Sequence, residues 1–234
     1  MFLKKLILGK LSADEMPIEG VIDRRKRNIK AIWNNERHDD IGIERLARLL
    51  LAATQFLFPG TYIKNFFGKL GIAYQELSVD CFVLLKIIFP VTILYFNLQN
   101  NSIVFILLVW FLAETMLYIP TLIFASDIFL RPRSYRRSML LLFINYIEIV
   151  FGFGVIYARG EYLNKPFEHW IDPIYFSFVT SATIGFGDIY PTTPTGKVLV
   201  CIQSTIFLVF VVLFINFFSN KVESKGYFDQ GNKP

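Results

Sequence analysis

Four apolar runs, at 81–98, 103–128, 139–158 and 198–218, constrain the fold more than anything else in the chain, because each is long enough to cross a bilayer as a helix. A helix rises about 1.5 Å per residue, so about 20 apolar residues match the hydrocarbon thickness of a membrane. The chain is 54% hydrophobic with 25 phenylalanines, too apolar for an ordinary soluble domain of 234 residues. These features predict an all-α membrane protein with four transmembrane helices.

The net charge of +5 does not point to nucleic acid, because the charges sit where a membrane protein puts them. Arg131, Arg133, Arg136 and Arg137 share one connection, and Glu161, Glu168, Asp172 and Asp188 share another. Positive connections stay on the cytoplasmic side. The arginine connection is therefore expected inside, with the N-terminus, Lys221 and Lys225, whereas the 97–102 turn and the acidic connection face out. This makes a multi-pass protein of the cell membrane with both termini cytoplasmic. The four arginines are expected contacts for anionic lipid headgroups. Cys81 and Cys201 fall near opposite ends of their spans, which argues against a disulfide and suggests small buried hydrophobes. His38 and His169 lack ligand-spaced partners. No nucleophile and base stand together, so neither an enzyme nor a cofactor is expected. The apolar core within 1–10 is too short for a secretory signal.

Between the last two runs lies Thr183-Ile184-Gly185-Phe186-Gly187-Asp188. Asp172-Pro173 upstream reads as a helix start, with Asp172 as N-cap and 174–182 as a short helix. Ile189-Tyr190-Pro191 and Gly196-Lys197 lead into the last apolar run. The hexapeptide resembles the TVGYGD signature of the tetrameric potassium channel family, in the form TIGFGD, and the likeness covers roughly 138–220. It implies a re-entrant pore helix, a selectivity-filter loop and a homotetrameric pore that conducts K⁺ passively, with three identical subunits as partners and K⁺ as the permeant ion. Oxygens of Thr183, Ile184, Gly185 and Phe186 would replace the hydration shell of K⁺, the glycines would supply backbone freedom, and Asp188 would close the outer mouth. Tyr175 occupies the position from which an aromatic residue bonds the Asp188 carboxylate, and Val179 a position where some members carry glutamate. Phe186 lacks the hydroxyl of the commoner tyrosine.

The resemblance also frames the rest of the chain. The first outer turn is too short for a second pore helix, so one filter per chain implies four chains. Neither of the first two spans carries arginine at every third position, which argues against voltage sensing. Two alternatives stand beside the channel: a potassium transporter subunit, whose relatives usually carry four degenerate loops in one chain, and a non-conducting regulatory or scaffold subunit. The chain divides into a cytoplasmic N-terminal region 1–78, a peripheral two-helix region 79–130, a pore domain 137–220 and a short tail 221–234. Within the first region, 41–58 reads as a helix that lies along the inner membrane surface or packs against a neighbouring subunit, 63–77 reads as a second interfacial helix, and the run Arg24-Arg25-Lys26-Arg27 reads as a solvated surface or a contact for acidic headgroups.

Two further expectations concern the spans themselves. Phe207 stands where many family members have a hinge glycine, and Val211 and Ile215 on its face would line a hydrophobic constriction, unless the gate is the filter. Lys86, Glu114 and Glu148 fall in one band, roughly 8 to 15 Å above the inner face at about 1.5 Å per residue. An isolated charge at that depth is costly, so Lys86 is expected to bridge to Glu114 or Glu148, or else to snorkel to the headgroups.

Overall fold

The computed structural model describes residues 19–36, 41–124 and 135–219. These contain eight α-helices: α1 Val21–Trp33, α2 Ile43–Thr54, α3 Pro59–Gly68, α4 Ile72–Tyr95, α5 Ser102–Phe124, α6 Tyr135–Arg159, α7 Asp172–Ser181 and α8 Pro194–Ser219. Of these, α4, α5, α6 and α8 are long and apolar enough to cross a membrane, so the chain is a multi-pass, all-α membrane protein. The expected end of the second span at 128 and the tail 221–234 lie outside the described residues.

Two boundaries differ from expectation. The helix expected over 63–77 is split, because α3 ends at Gly68 and Gly71, at φ 126°, starts a new helix. Its second half belongs to α4, which begins at Ile72, so a division at 78/79 falls inside a continuous helix. Apolarity alone concealed this start. Gln75, Glu76, Ser78 and Asp80 interrupt the hydrophobic run, yet the helix continues through them because neighbours satisfy them. Gln75 donates to the carbonyl of Lys64 at 3.0 Å, and Asp80 pairs with Arg137 of α6 at 2.6 Å.

The core forms where α4, α5, α6, α7 and α8 meet, around Ile93, Leu112, Ile149, Phe153, Phe176 and Phe210. Contact between α6 and α7 is close enough to require glycine, since a Cβ at Gly154 would stand 3.1 Å from the carbonyl oxygen of Pro173. The short re-entrant helix is thereby seated against the third span. Cys81 and Cys201 are exposed on the helix surfaces, which corrects the expectation of buried hydrophobes.

The three N-terminal helices form a separate layer. Ile32 of α1 and Ala52 of α2 make a small core, and α2 and α3 meet at a 62° bend before Pro59. On α2 the apolar side chains of Ile43, Leu46 and Leu50 point outward while Arg48 is buried. A helix with its greasy face turned away from its own protein suits the membrane interface.

Candidate functional site

The loop after α7 is built by its helix. Asp172 is the first helical residue rather than the cap, a correction explained by its carboxylate, which turns back to accept the backbone N–H groups of Glu168 at 2.9 Å and His169 at 2.8 Å. Pro173 follows, where a missing N–H costs nothing. At the other end the amides of Ala182, Thr183 and Ile184 donate to the carbonyls of Phe178, Thr180 and Val179 at 2.8, 3.1 and 3.0 Å. The chain thus leaves the helix under tight control.

Beyond that point every second residue is left-handed, with φ 55° at Thr183, 57° at Gly185 and 79° at Gly187. In a regular strand successive residues point to opposite sides, and left-handed residues at alternate positions are the means of turning successive carbonyls to one side. A Cβ at Gly185 or Gly187 would meet nothing within 4 Å, so the need for glycine is one of backbone conformation rather than space. Thr183 adopts the same region at a cost of roughly 1–2 kcal/mol. Ile184 and Phe186 are 52% and 68% exposed, so the outward face of the loop has no partner within one chain.

The outer limb is braced. The Tyr175 hydroxyl donates to the Asp188 carboxylate at 3.4 Å, a long bond. Asn164 does more: its amide donates to the Asp188 carbonyl at 3.3 Å, its side-chain oxygen accepts the N–H of Tyr190 at 2.9 Å, and its own N–H donates to the Tyr190 carbonyl at 3.0 Å. Val179 is buried behind the loop.

Sequence reasoning missed Asn164, and it missed a larger network behind α7. Gln203 of α8, 1% exposed, donates to the Ser177 carbonyl at 3.0 Å, the Ser177 hydroxyl at 2.7 Å and the Ser181 hydroxyl at 2.6 Å. Its oxygen accepts the Tyr157 hydroxyl at 2.8 Å, and the Ser177 hydroxyl donates to the Val150 carbonyl at 2.5 Å. One amide therefore ties α6, α7 and α8 together. A lone glutamine inside the last apolar run was the available signal, since an intramembrane amide demands partners. Gln203→Leu should strand the Tyr157 hydroxyl, costing about 1–3 kcal/mol, whereas Ser181 keeps a hydrogen bond with Tyr146. Thermal unfolding of the purified protein checks this, and an unchanged midpoint would remove the network from the list of contributors.

On α8 the Phe207 ring packs toward Tyr146 of α6, centroids 6.0 Å apart, and Val211 is half-buried. Ile215 lies with Leu208 and Val212 on the face that its own chain leaves open. Phe207, Val211 and Ile215 therefore do not present one common exposed face.

The three intramembrane ionisable groups do meet. The Lys86 ammonium is 3.1 Å from Glu148 and 4.0 Å from Glu114, and the exposures of Lys86 and Glu148 are 4% and 1%. Thr115 stands between them, accepting from Lys86 and donating to Glu148 at 2.8 Å. Glu114 accepts the N–H of Gly60 at 3.1 Å, which links the cluster to the N-terminal layer. Of the expected lipid-facing arginines, Arg131 and Arg133 lie outside the described residues, and Arg137 is engaged by Asp80 and by the Glu76 carbonyl at 2.9 Å.

Residues 140–224 match a protein-family model described as "Ion channel". Two-pore potassium channel 4 of Arabidopsis thaliana is 34% identical over 91 residues, 37% of this chain and 30% of that protein. Two pore potassium channel a of Oryza sativa is 34% identical over 94 residues, 39% of this chain and 26% of that protein. The potassium channel protein kcv of Paramecium bursaria Chlorella virus 1 is 50% identical over 44 residues, 19% of this chain and 46% of that protein. The chain thus spans less than half the length of these relatives. No solved structure matches.

Proposed function

We propose that this chain, whose residues 140–224 resemble those of potassium channels, is the subunit of a K⁺-selective pore in the cell membrane. The observation that carries the reading is the left-handed alternation at Thr183, Gly185 and Gly187 in an exposed loop held by a buried helix. Such a loop offers a column of backbone oxygens to one side. One column cannot replace the hydration shell of K⁺, whereas four around an axis can. The ion sites would be formed by Thr183, Ile184, Gly185 and Phe186, with Gly187 and Asp188 above them and Tyr175 and Asn164 bracing the mouth.

Four copies would also cover the surfaces that one chain leaves bare, including the loop and the open face of α8. In that assembly Leu208, Val212 and Ile215 are the apolar side chains available to narrow the inner pore, in place of the face that contains Phe207. A hydrophobic constriction closes by dewetting. Ile215→Asn should therefore raise open probability several-fold in single-channel records, and an unchanged value in both Ile215→Asn and Val212→Asn would move the gate to the filter. The arginine side of the membrane is taken as cytoplasmic, with the exposed Arg136 near anionic headgroups.

The test is the purified chain in liposomes carrying a K⁺ gradient. Passive, uncoupled K⁺ efflux supports the reading. Efflux tied stoichiometrically to a second ion would indicate a transporter, and no efflux would indicate a non-conducting subunit.

A further inference from the structure

A cavity of about 200 Å³ lies between the N-terminal layer and the spanning helices. Its lining includes Arg24 and Arg25 of α1, Lys64 of α3, and the apolar side chains of Phe82, Val83 and Leu117 of α4 and α5. Lys86 and Glu114 also reach it. The lining therefore holds four cations and one carboxylate, and Lys86 is already matched by Glu148 and Glu114.

The remaining three cations are short of negative partners. Glu19, the acid that acts on Arg24, forms a salt bridge with Arg27 at 2.7 Å. Arg25 donates to two neutral acceptors, the Gln55 carbonyl at 3.1 Å and the Thr61 hydroxyl, and among carboxylates only Glu114, shared with Lys86, offsets its charge. Lys64 makes no salt bridge among the described residues, and the nearby Arg137 is held by Asp80. Burial, followed by repulsion from Arg24, Arg25 and Arg137, holds the Lys64 ammonium down to about 8, with Glu76 acting weakly the other way. Clustered, half-buried positive charge that its carboxylates offset only in part is costly, and a bound anion relieves it.

We propose that this cavity binds the phosphate of an anionic membrane lipid, with the headgroup among Arg24, Arg25 and Lys64 and the acyl chains leaving along Phe82, Val83 and Leu117. The mixed lining is what selects a lipid over a free anion: three cations answer a phosphodiester, and adjoining apolar walls answer the carbons attached to it. The volume suits a phosphodiester with its glycerol, so the acyl chains stay in the bilayer. An occupied site would brace the N-terminal layer against α4 and α5, beside the Gly60 to Glu114 hydrogen bond. The proposal rests on the bilayer placement of the four spans and not on K⁺ conduction, so it survives or fails separately from the channel reading.

The experiment measures binding of dioctanoyl phosphatidylglycerol to the purified full-length chain in neutral detergent, by native mass spectrometry and by thermal shift. Phosphatidylglycerol should bind and stabilise, while dioctanoyl phosphatidylcholine and inorganic phosphate should not at the same concentration. Arg24→Gln and Lys64→Gln should each weaken binding about tenfold, the loss of one charge-assisted contact. Lys26→Gln and Lys30→Gln, at exposed positions of the same helix, should leave it unchanged. Affinity should fall as pH rises through about 8, where Lys64 loses its proton, and Lys64→Arg should keep its affinity above that pH. Equal binding of phosphatidylcholine, equal competition by inorganic phosphate, or wild-type affinity in Lys64→Gln would each overturn the proposal.

Discussion

Replacing Gly185 with aspartate should abolish the proposed K⁺ current or its selectivity over Na⁺, the largest effect expected of any single change in the chain. Gly185 sits at φ 57°, and no neighbour within 4 Å crowds its missing Cβ, so the damage comes through the backbone. An L-residue resists that conformation at roughly 1–2 kcal/mol. In a fourfold assembly the cost is incurred in every subunit around the same axis. The carboxylate adds a second fault by placing four charges where backbone oxygens of fixed spacing should be. Recordings from reconstituted protein check this, and unchanged K⁺ over Na⁺ permeability would remove Gly185 from the ion path.

Lys86→Met should be the most damaging change away from the loop. It leaves Glu148, 1% exposed, with Thr115 as its only hydrogen-bond partner among the described residues. Breaking one side of a buried pair costs about 3–5 kcal/mol, because the surviving charge has neither water nor a counter-ion. The distances also rank the two acids. Glu148, at 3.1 Å, should show the stronger coupling and Glu114, at 4.0 Å and held by the Gly60 N–H, the weaker. Glu148→Gln added to Lys86→Met should recover a large part of the lost stability, measured by thermal unfolding in detergent, and Glu114→Gln a smaller part. Strict additivity with both acids would show that Lys86 is not held by either.

These two sites show how much could be read from the chain before its fold was known. The four spans follow from apolar length, and the hexapeptide follows from glycine at alternate positions, both local properties. Depth is local as well: counting residues along each helix placed Lys86, Glu114 and Glu148 in one band. Which acid lies closer depends on the rotation of α5 and α6 about their axes, and nothing in either apolar run fixes that. Rotation likewise turns Phe207 toward Tyr146 and leaves Leu208, Val212 and Ile215 on the open face.

The Gln203 network was illegible for a related reason. Its partners Tyr157, Ser177 and Ser181 belong to two other helices, and Ser and Tyr inside such segments carry no pattern that marks them as partners. Asn164 lies in an irregular connection, where an amide has many ordinary uses. The start of α4 at Ile72 was hidden because its polar first turns are satisfied by contacts with α3 and α6, which are tertiary facts.

The most direct measurement is the reversal potential of single channels formed by the purified chain in a planar bilayer, with K⁺ on one side and Na⁺ on the other. A pore lined by the carbonyls of Thr183 to Phe186 should give a reversal potential displaced far from zero in the direction set by K⁺ permeation, and Gly185→Asp should lose that displacement. A reversal near zero, with both cations carrying current equally, would contradict a potassium-selective filter at this loop.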